Sequence, residues 1–279
     1  MNILTFDIED WFHTFDKPYY NSPSLWNTLP SAIESDVSRI CDILDETNTK
    51  ATFFTLGWIA KHHPAIVKKI SEKGHQIGLH SYLHQQVGHL NEKEFSSDLK
   101  KNIEVIEEII GQKVKSFRAP GFSLKETEQW ALESMLELGV NIDSSLISNE
   151  TFNGIGSLPA SPFRLSINGK EMYEFPQIKV DIFSFMFFYL SSGYFRLTPK
   201  NIIKRALENK DYTMNYFHPR DFNTQTHKLF SSPLLKLKYR IGTKSAARKL
   251  KQLCKQADYI SIDQANELIN WNDTPLFEL

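Results

Sequence analysis

Residues 51–84 read ATFFTLGWIAKHHPAIVKKISEKGHQIGLHSYLH. Ala51 to Leu56 is a β-branched and aromatic run bounded by a glycine, which predicts a strand. Pro64 to Lys73 has helical apolar spacing and is closed by Gly74, a C-terminal cap. His75 to Leu79 is again a short apolar strand. The unit is strand, helix, strand, and two histidines follow the second strand at positions 80 and 84. Strands separated by a helix of this length predict a parallel pairing through a crossover.

The same rhythm runs outward in both directions. Asn2 to Phe6 predicts a first strand, and residues 31 to 46 a helix with Ile33, Val37, Ile40, Cys41 and Leu44 on one face. Residues 92 to 110 predict a long amphipathic helix closed by Gly111. Lys115 to Arg118 is a strand, Lys125 to Leu138 a helix ending at Gly139, and Val140 to Ile142 a short strand. Residues 148 to 198 break the pattern with glycines, prolines, serines and aromatics. They predict an elaborated loop region that contains one strand, Met172 to Phe175. The alternation resumes with a helix at Pro199 to Asn209, a strand at Thr213 to Phe217, a basic stretch to 242, a helix at Thr243 to Ala257, a strand at Tyr259 to Ile262 and a last helix from Asp263. The expectation is an α/β fold in one domain over 1–279, as a barrel or a doubly wound sheet, with residues 223–279 as a helical and strand extension.

Composition excludes several classes. The chain has 279 residues, 41% hydrophobic and 23% charged, with a formal net charge of −1. That is an ordinary globular composition, and the overall charge gives no reason to expect nucleic acid or an anionic membrane as a partner. Cys41 and Cys254 are far apart and predict reduced, buried thiols. The strand at the start is preceded by no signal-type segment, so the expected location is the cytoplasm. The apolar run 182–190 is far below the ~20 residues of a spanning helix. Its bland reading is a buried segment; its sharper reading is contact with a lipid-linked substrate.

The polar residues share one placement. Asp7, Glu9 and Asp10 follow strand one, and His80 and His84 follow the strand at 75–79. Arg118 ends the next strand, Asp143 follows the strand at 140–142, and His218 follows the strand at 213–217. In a parallel barrel these ends form the catalytic face. Three acids in four positions suit one carboxylate on a metal and one acting as a base. Alternation turns Asp7 and Glu9 the same way, which favours Glu9 as ligand and leaves Asp10 the other candidate. Two imidazoles and a carboxylate leave positions open on a divalent cation for water and substrate. His218 suits a proton donor. Arg118 could clamp Asp7 or Asp143.

In this order the pieces resemble the five motifs of the polysaccharide deacetylases of NodB homology, carbohydrate esterase family 4. Thr5-Phe6-Asp7, His80-Ser81-Tyr82-Leu83-His84, Arg118-Ala119-Pro120-Gly121, Asp143-Ser144-Ser145 and Phe217-His218 carry the resemblance. Further stretches, among them Gly193-Tyr194-Phe195-Arg196-Leu197 and His218-Pro219-Arg220-Asp221, resemble the branch that modifies exopolysaccharide or O-antigen. The resemblance implies a distorted (β/α)7 barrel that removes acetyl from an N-acetylated sugar, oligosaccharide or polysaccharide. It implies Asp7 as general base, His218 as general acid, and Arg118 and Asp143 as further members of the catalytic set. Pro120, Gly121, Phe122 and Arg196 would contact substrate. His80, His84 and Glu9 or Asp10 would hold the metal, with zinc the first expectation and cobalt, nickel or manganese also suited. The sequence departs from the family pattern at Ile8, where a second adjacent aspartate is usual. Two competing functions are hydrolysis of another amide, as in allantoinase-like relatives, and a non-catalytic carbohydrate-binding barrel.

Overall fold

The structure is a computed structural model that describes residues 1–152, 156–181, 187–188, 191–207 and 210–279. Its strands in chain order are β1 (Asn2–Ile8), β2 (Thr52–Thr55), β3 (Gln76–Leu79), β4 (Ser116–Phe117), β5 (Ile142–Asp143), β6 (Phe163–Ile167), β7 (Lys170–Glu174), β8 (Val180–Asp181), β9 (Phe187–Phe188), β10 (Thr213–Phe217), β11 (Tyr259–Ile260) and β12 (Leu276–Glu278). The chain divides into two compact units. The first comprises Met1–Thr52 with Val180–Ser261, and the second Phe53–Lys179 with Ile262–Leu279. The region expected as an elaborated loop at 148–198 is therefore shared between them. Most of the apolar run 182–190, with its expected lipid contact, lies outside the described residues. Among the described residues no helix is long and apolar enough to cross a membrane.

In the first unit β1 lies between two parallel neighbours. Asn2 is opposite Thr213 of β10 and Phe6 opposite Phe217, while Asn2 and Ile3 also pair Tyr259 and Ile260 of β11. Residues 3–8 are all buried, as befits a parallel strand covered on both faces. Phe6, Phe217 and Phe222 meet edge-on or tilted at 5.6–6.4 Å, and Trp11, Tyr19 and Phe230 form a second aromatic cluster. This register has a direct consequence for chemistry. One step past the Phe6–Phe217 pair, Asp7 near the end of β1 and His218 just after β10 stand at the same end of neighbouring parallel strands.

In the second unit one register row crosses four strands. Leu79 is opposite Phe117, Phe117 opposite Asp143, and Asp143 opposite Glu174, all in parallel pairs. The residues that follow in β3, β4 and β5 are His80, Arg118 and Ser144. The helix Glu92–Ile110 covers this sheet with Phe95, Leu99, Asn102 and Ile106 buried. It opens on a reciprocal capping box between Asn91 and Glu94 and closes on Gly111 in the left-handed region.

Several elements lie beyond the sequence expectation. Helix Gly57–His62 precedes helix Pro64–Glu72, which was expected over Pro64 to Lys73. Helix Pro233–Arg240 occupies part of the basic stretch. β6 and β7 form an antiparallel hairpin through Asn168 and Gly169, both at positive φ, the geometry that an Asn-Gly pair serves in a two-residue turn. β12 then adds to the open edge of β6 in parallel.

Candidate metal and proton-transfer residues

In the first unit, Asp7, Glu9 and His218 each bring a ligand-type atom within 4.8 Å of the other two. Glu9 is buried. Its Oε2 accepts from Arg220 Nη1 at 2.6 Å, and its Oε1 lies 3.5 Å from His218 Nε2. On the other side of the imidazole, Nδ1 is 3.0 Å from Ser192 Oγ and 3.5 Å from Asp221 Oδ2. Asp221 also accepts from the His218 backbone N–H at 2.9 Å, which closes the 218–221 turn. Burial and the nearby Arg220 guanidinium push the His218 pKa down, but the carboxylates of Glu9 and Asp221 outweigh them and raise it to about 9. Asp221 moves the other way. Burial raises its pKa, yet His218, Arg196 and Arg220 hold it at about 2.

Asp10 has a different task. Its carboxylate accepts from the Trp11 N–H at 2.7 Å, from the Ser31 hydroxyl, and from the Ala32 N–H at 3.3 Å. It closes the entry of helix Ile33–Glu46. His13 Nδ1 accepts the Asp10 N–H at 3.0 Å and its ring packs on Trp26, so His13 supports the same turn. The choice left open between Glu9 and Asp10 thus has a physical basis: Glu9 stands with Asp7 and His218, and Asp10 is occupied by backbone donors. Asp10→Ala leaves those buried donors unmet and is expected to lower stability by about 1–3 kcal/mol with bound metal unchanged. Loss of metal at full stability, read by elemental analysis beside thermal unfolding, would return Asp10 to the ligand set.

Arg196, expected to contact substrate, is buried. Its guanidinium lies 3.4 Å from Asp221 Oδ1 and donates to the carbonyls of Tyr239 and Lys238. These contacts suit it to positioning the 218–221 turn. Arg220 and Asp221 stand in the stretch His218-Pro219-Arg220-Asp221 that carried the resemblance, but without an assigned role. Ser192 gave no signal, because a single polar residue in an irregular region has no periodicity.

In the second unit, His80 and His84 are buried with ring centroids 5.6 Å apart. The turn between them is sharp. Ser81 and His84 both adopt positive φ, at 65° and 56°, which non-glycine residues do only when surroundings impose it. The surroundings are identifiable. Asp98 accepts from the N–H groups of Tyr82 and Leu83, and the carbonyls of Ser81 and Tyr82 receive the N–H groups of Gly57 and Trp58 at the start of helix Gly57–His62. A Cβ at Gly57 would sit 2.2 Å from the Tyr82 ring, so this approach requires glycine. His80 Nδ1 is 2.7 Å from the Arg118 carbonyl. Because a carbonyl only accepts, Nδ1 carries the proton and Nε2 the lone pair, as in histidine ligands oriented by a second hydrogen bond. Imidazole nitrogens and carboxylate oxygens are a donor set that suits zinc, cobalt, nickel or manganese.

Arg118 and Asp143, both expected in the catalytic set, are fully buried. Arg118 Nε donates to the Ser144 carbonyl and Nη2 to Ser144 Oγ, while its guanidinium covers the Phe54 ring at 4.3 Å. Asp143 accepts from the Ser145 hydroxyl at 2.6 Å and the Ser145 N–H at 3.2 Å, and that hydroxyl receives the Ala119 N–H. Glu174, absent from the sequence expectation, is its register partner. Burial raises the pKa of both acids. The Asp143 charge raises Glu174 well above its ordinary 4.5, so Glu174 keeps the proton and Asp143 the charge. Asp143 is therefore a positioning residue for the 118–119 and 144–145 segments. Of the residues expected at substrate, Phe122 sits at positive φ beside Gly121. With Leu124, Ser145, Leu146, Phe152 and Leu158 it helps line a cavity of about 460 Å³. Pro120 is buried and starts that turn.

Comparisons with known proteins give this geometry a context. The polysaccharide deacetylase family model matches residues 4–140, and a model for a domain of unknown function (DUF3473) matches residues 144–267. A peptidoglycan-N-acetylglucosamine deacetylase of Bacillus cereus is 34% identical over 128 residues, 45% of this chain and 46% of the relative. The chain thus spans less than half of that relative's length. A Mycobacterium smegmatis structure described as a polysaccharide deacetylase superposes with a TM-score of 0.65 at 20% identity, over 98% of this chain and 91% of its own. A carbohydrate esterase 4 pseudoenzyme from Bacillus anthracis superposes with a TM-score of 0.52 at 16% identity, over 100% and 69%. These likenesses show the fold, mixed α/β with mostly parallel strands, in agreement with the expected distorted (β/α)7 type.

Proposed function

Residues 4–140 belong to the polysaccharide deacetylase family, and from that premise we propose that the protein is a metal-dependent N-deacetylase acting on an acetamido sugar in surface-polysaccharide biosynthesis. The observation that carries this reading is the grouping of Asp7, Glu9 and His218 at one end of β1 and β10. It supports the reading because the three residues this mechanism uses as base, ligand acid and proton donor stand within reach of one another.

The ligands proposed are His80 and His84, which the motif resemblance names, with Glu9 as the acid. A divalent cation held by these residues would supply Lewis acidity toward water and the acetyl carbonyl. Asp7 accepts the proton of the attacking water. The protonated imidazole of His218 gives its proton to the departing amine nitrogen, so that one amide and one water become one amine and one acetate. Asp221 and Ser192 hold the imidazole while this occurs. In the turn at Pro120–Phe122 the proline has no N–H and the Phe122 N–H donates to the Ala119 carbonyl, so the Gly121 N–H is the donor proposed for the developing oxyanion, with Phe122 as a wall for the sugar.

The anthracis pseudoenzyme shares the fold, so fold alone does not separate catalysis from binding. What favours catalysis is that Asp7, His80, His84 and His218 are all retained. The deciding experiment compares wild type with His80→Ala by elemental analysis and by acetate release from N-acetylhexosamine oligomers, with a ureide as control. Wild type is expected to hold about one metal ion per chain and release acetate. The variant should lose both. Ureide hydrolysis without acetate release would replace the reading, and metal content and turnover unchanged in His80→Ala would sink it.

A further inference from the structure

Residues 222–257 hold nine lysines and arginines and no acidic residue, in a chain of net charge −1. Within this segment helix Pro233–Arg240 buries Leu235 and Tyr239 but leaves Leu234 74% and Leu237 55% exposed, with Ile241 just after it 44% exposed. At 100° per residue these three fall within a stripe about 60° wide, flanked by Lys238 on one side and Arg240 on the other. The stripe has a neighbour in the same unit. Arg196 donates to the carbonyls of Lys238 and Tyr239, and Gly242 approaches the Arg196 backbone so closely that a Cβ would lie 2.5 Å from its carbonyl oxygen. Helix Ser192–Leu197 is therefore clamped beside Ile241, and it adds Tyr194 and Leu197, 47% and 61% exposed.

We propose that this face docks the protein on an anionic lipid bilayer. Large apolar side chains ringed by cations suit the headgroup boundary, where the leucines enter the acyl region and the cations meet lipid phosphates. A nucleic acid would engage the cations and leave the leucines in water. A second copy would set like charges against each other across the contact. Lys238 is bridged to Asp16, and Lys249 is committed to the carbonyls of Phe195, Arg196 and Thr198. Lys236, Arg240 and Lys244 are exposed in the same basic segment. The docking face and the proton donor share a fastening, since Arg196 also lies against Asp221, which closes the His218 turn. Docking stands independently of the deacetylase reading, because membrane binding is measured without turnover.

The test is co-sedimentation of the full chain with phosphatidylcholine vesicles and with vesicles that include phosphatidylglycerol. Wild type is expected to bind the anionic vesicles at least about tenfold more strongly than the neutral ones, and to be released by salt. Leu234→Ser with Leu237→Ser and Ile241→Ser should lower the partition about tenfold or more, with thermal unfolding unchanged. A second variant, Lys236→Gln with Arg240→Gln and Lys244→Gln, should lose the preference for anionic lipid. Absence of wild-type binding would overturn the proposal. So would equal binding by the serine variant, or a wild-type dimer that the serine changes dissolve without vesicle binding.

Discussion

Glu174→Ala is expected to destabilise the protein by about 3–5 kcal/mol, because it leaves the Asp143 carboxylate fully buried without its proton-sharing partner. Glu174→Gln is expected to cost no more than about 1 kcal/mol. An amide there can donate to Asp143 and accept the Leu146 N–H that Glu174 Oε1 now receives at 3.1 Å. The two variants also differ in pH response. The folded pKa of Glu174 lies above its unfolded value, so between the two values the native state binds more protons than the unfolded state. The stability this group contributes is fully present below its ordinary 4.5 and falls as pH rises toward its raised native value. Glutamine removes that slope, so the variant gains on wild type from weakly acidic to neutral pH. Chemical denaturation across that range checks both statements. An alanine variant as stable as wild type, or parallel pH slopes for wild type and glutamine, would show that the two acids do not share a proton.

The same residue shows what the sequence could disclose. Strand Met172 to Phe175 was legible, and its alternation puts Glu174 on the side of Met172; both are buried. An inward acid in a strand was a readable anomaly, but its partner was not, since only the β5–β7 register brings Asp143 beside it. Asn168-Gly169 was an equally readable hairpin signal, and it marks the strand β6 missed inside the irregular region. Strand ends were the most legible feature. His80, Arg118 and His218 follow strands, and Asp7, expected just after strand one, lies within the end of β1, which runs on to Ile8, because parallel packing is written in the strand–helix alternation itself. Functions that depend on what a side chain touches were not legible. Asp10 and Arg196 have the right residue types for ligand and substrate contact, but Asp10 accepts from Trp11, Ser31 and Ala32 and Arg196 lies against Asp221 and the carbonyls of Lys238 and Tyr239, partners that mostly lie far away in sequence. The basic stretch to 242 was legible as charge, but the near-zero net charge of the chain averages over the asymmetry that matters for a surface, and the apolar stripe beside it shows only in the burial of helix Pro233–Arg240.

His218→Ala is expected to lower the rate of acetate release by about 10²–10⁴-fold, the range for loss of a positioned general acid or base. The imidazole is prepared for that task from both sides, with Nε2 3.5 Å from Glu9 and Nδ1 within 3.0–3.5 Å of Ser192 and Asp221. Its pKa of about 9 keeps a proton on it at neutral pH. Asp221→Asn removes one of the two carboxylates that raise that value. The alkaline fall in activity, where the donor loses its proton, should therefore move to lower pH in the variant. Metal content separates this role from a competing one, because Asp7, Glu9 and His218 are themselves a set that could hold a cation. A proton donor leaves metal in place when it is removed, whereas a ligand takes the metal with it. Elemental analysis of His218→Ala beside its acetate release therefore decides the assignment. Slow turnover with full metal is the expected result; metal lost in proportion to activity would make His218 a ligand, and activity within a few-fold of wild type would leave the leaving amine without this donor.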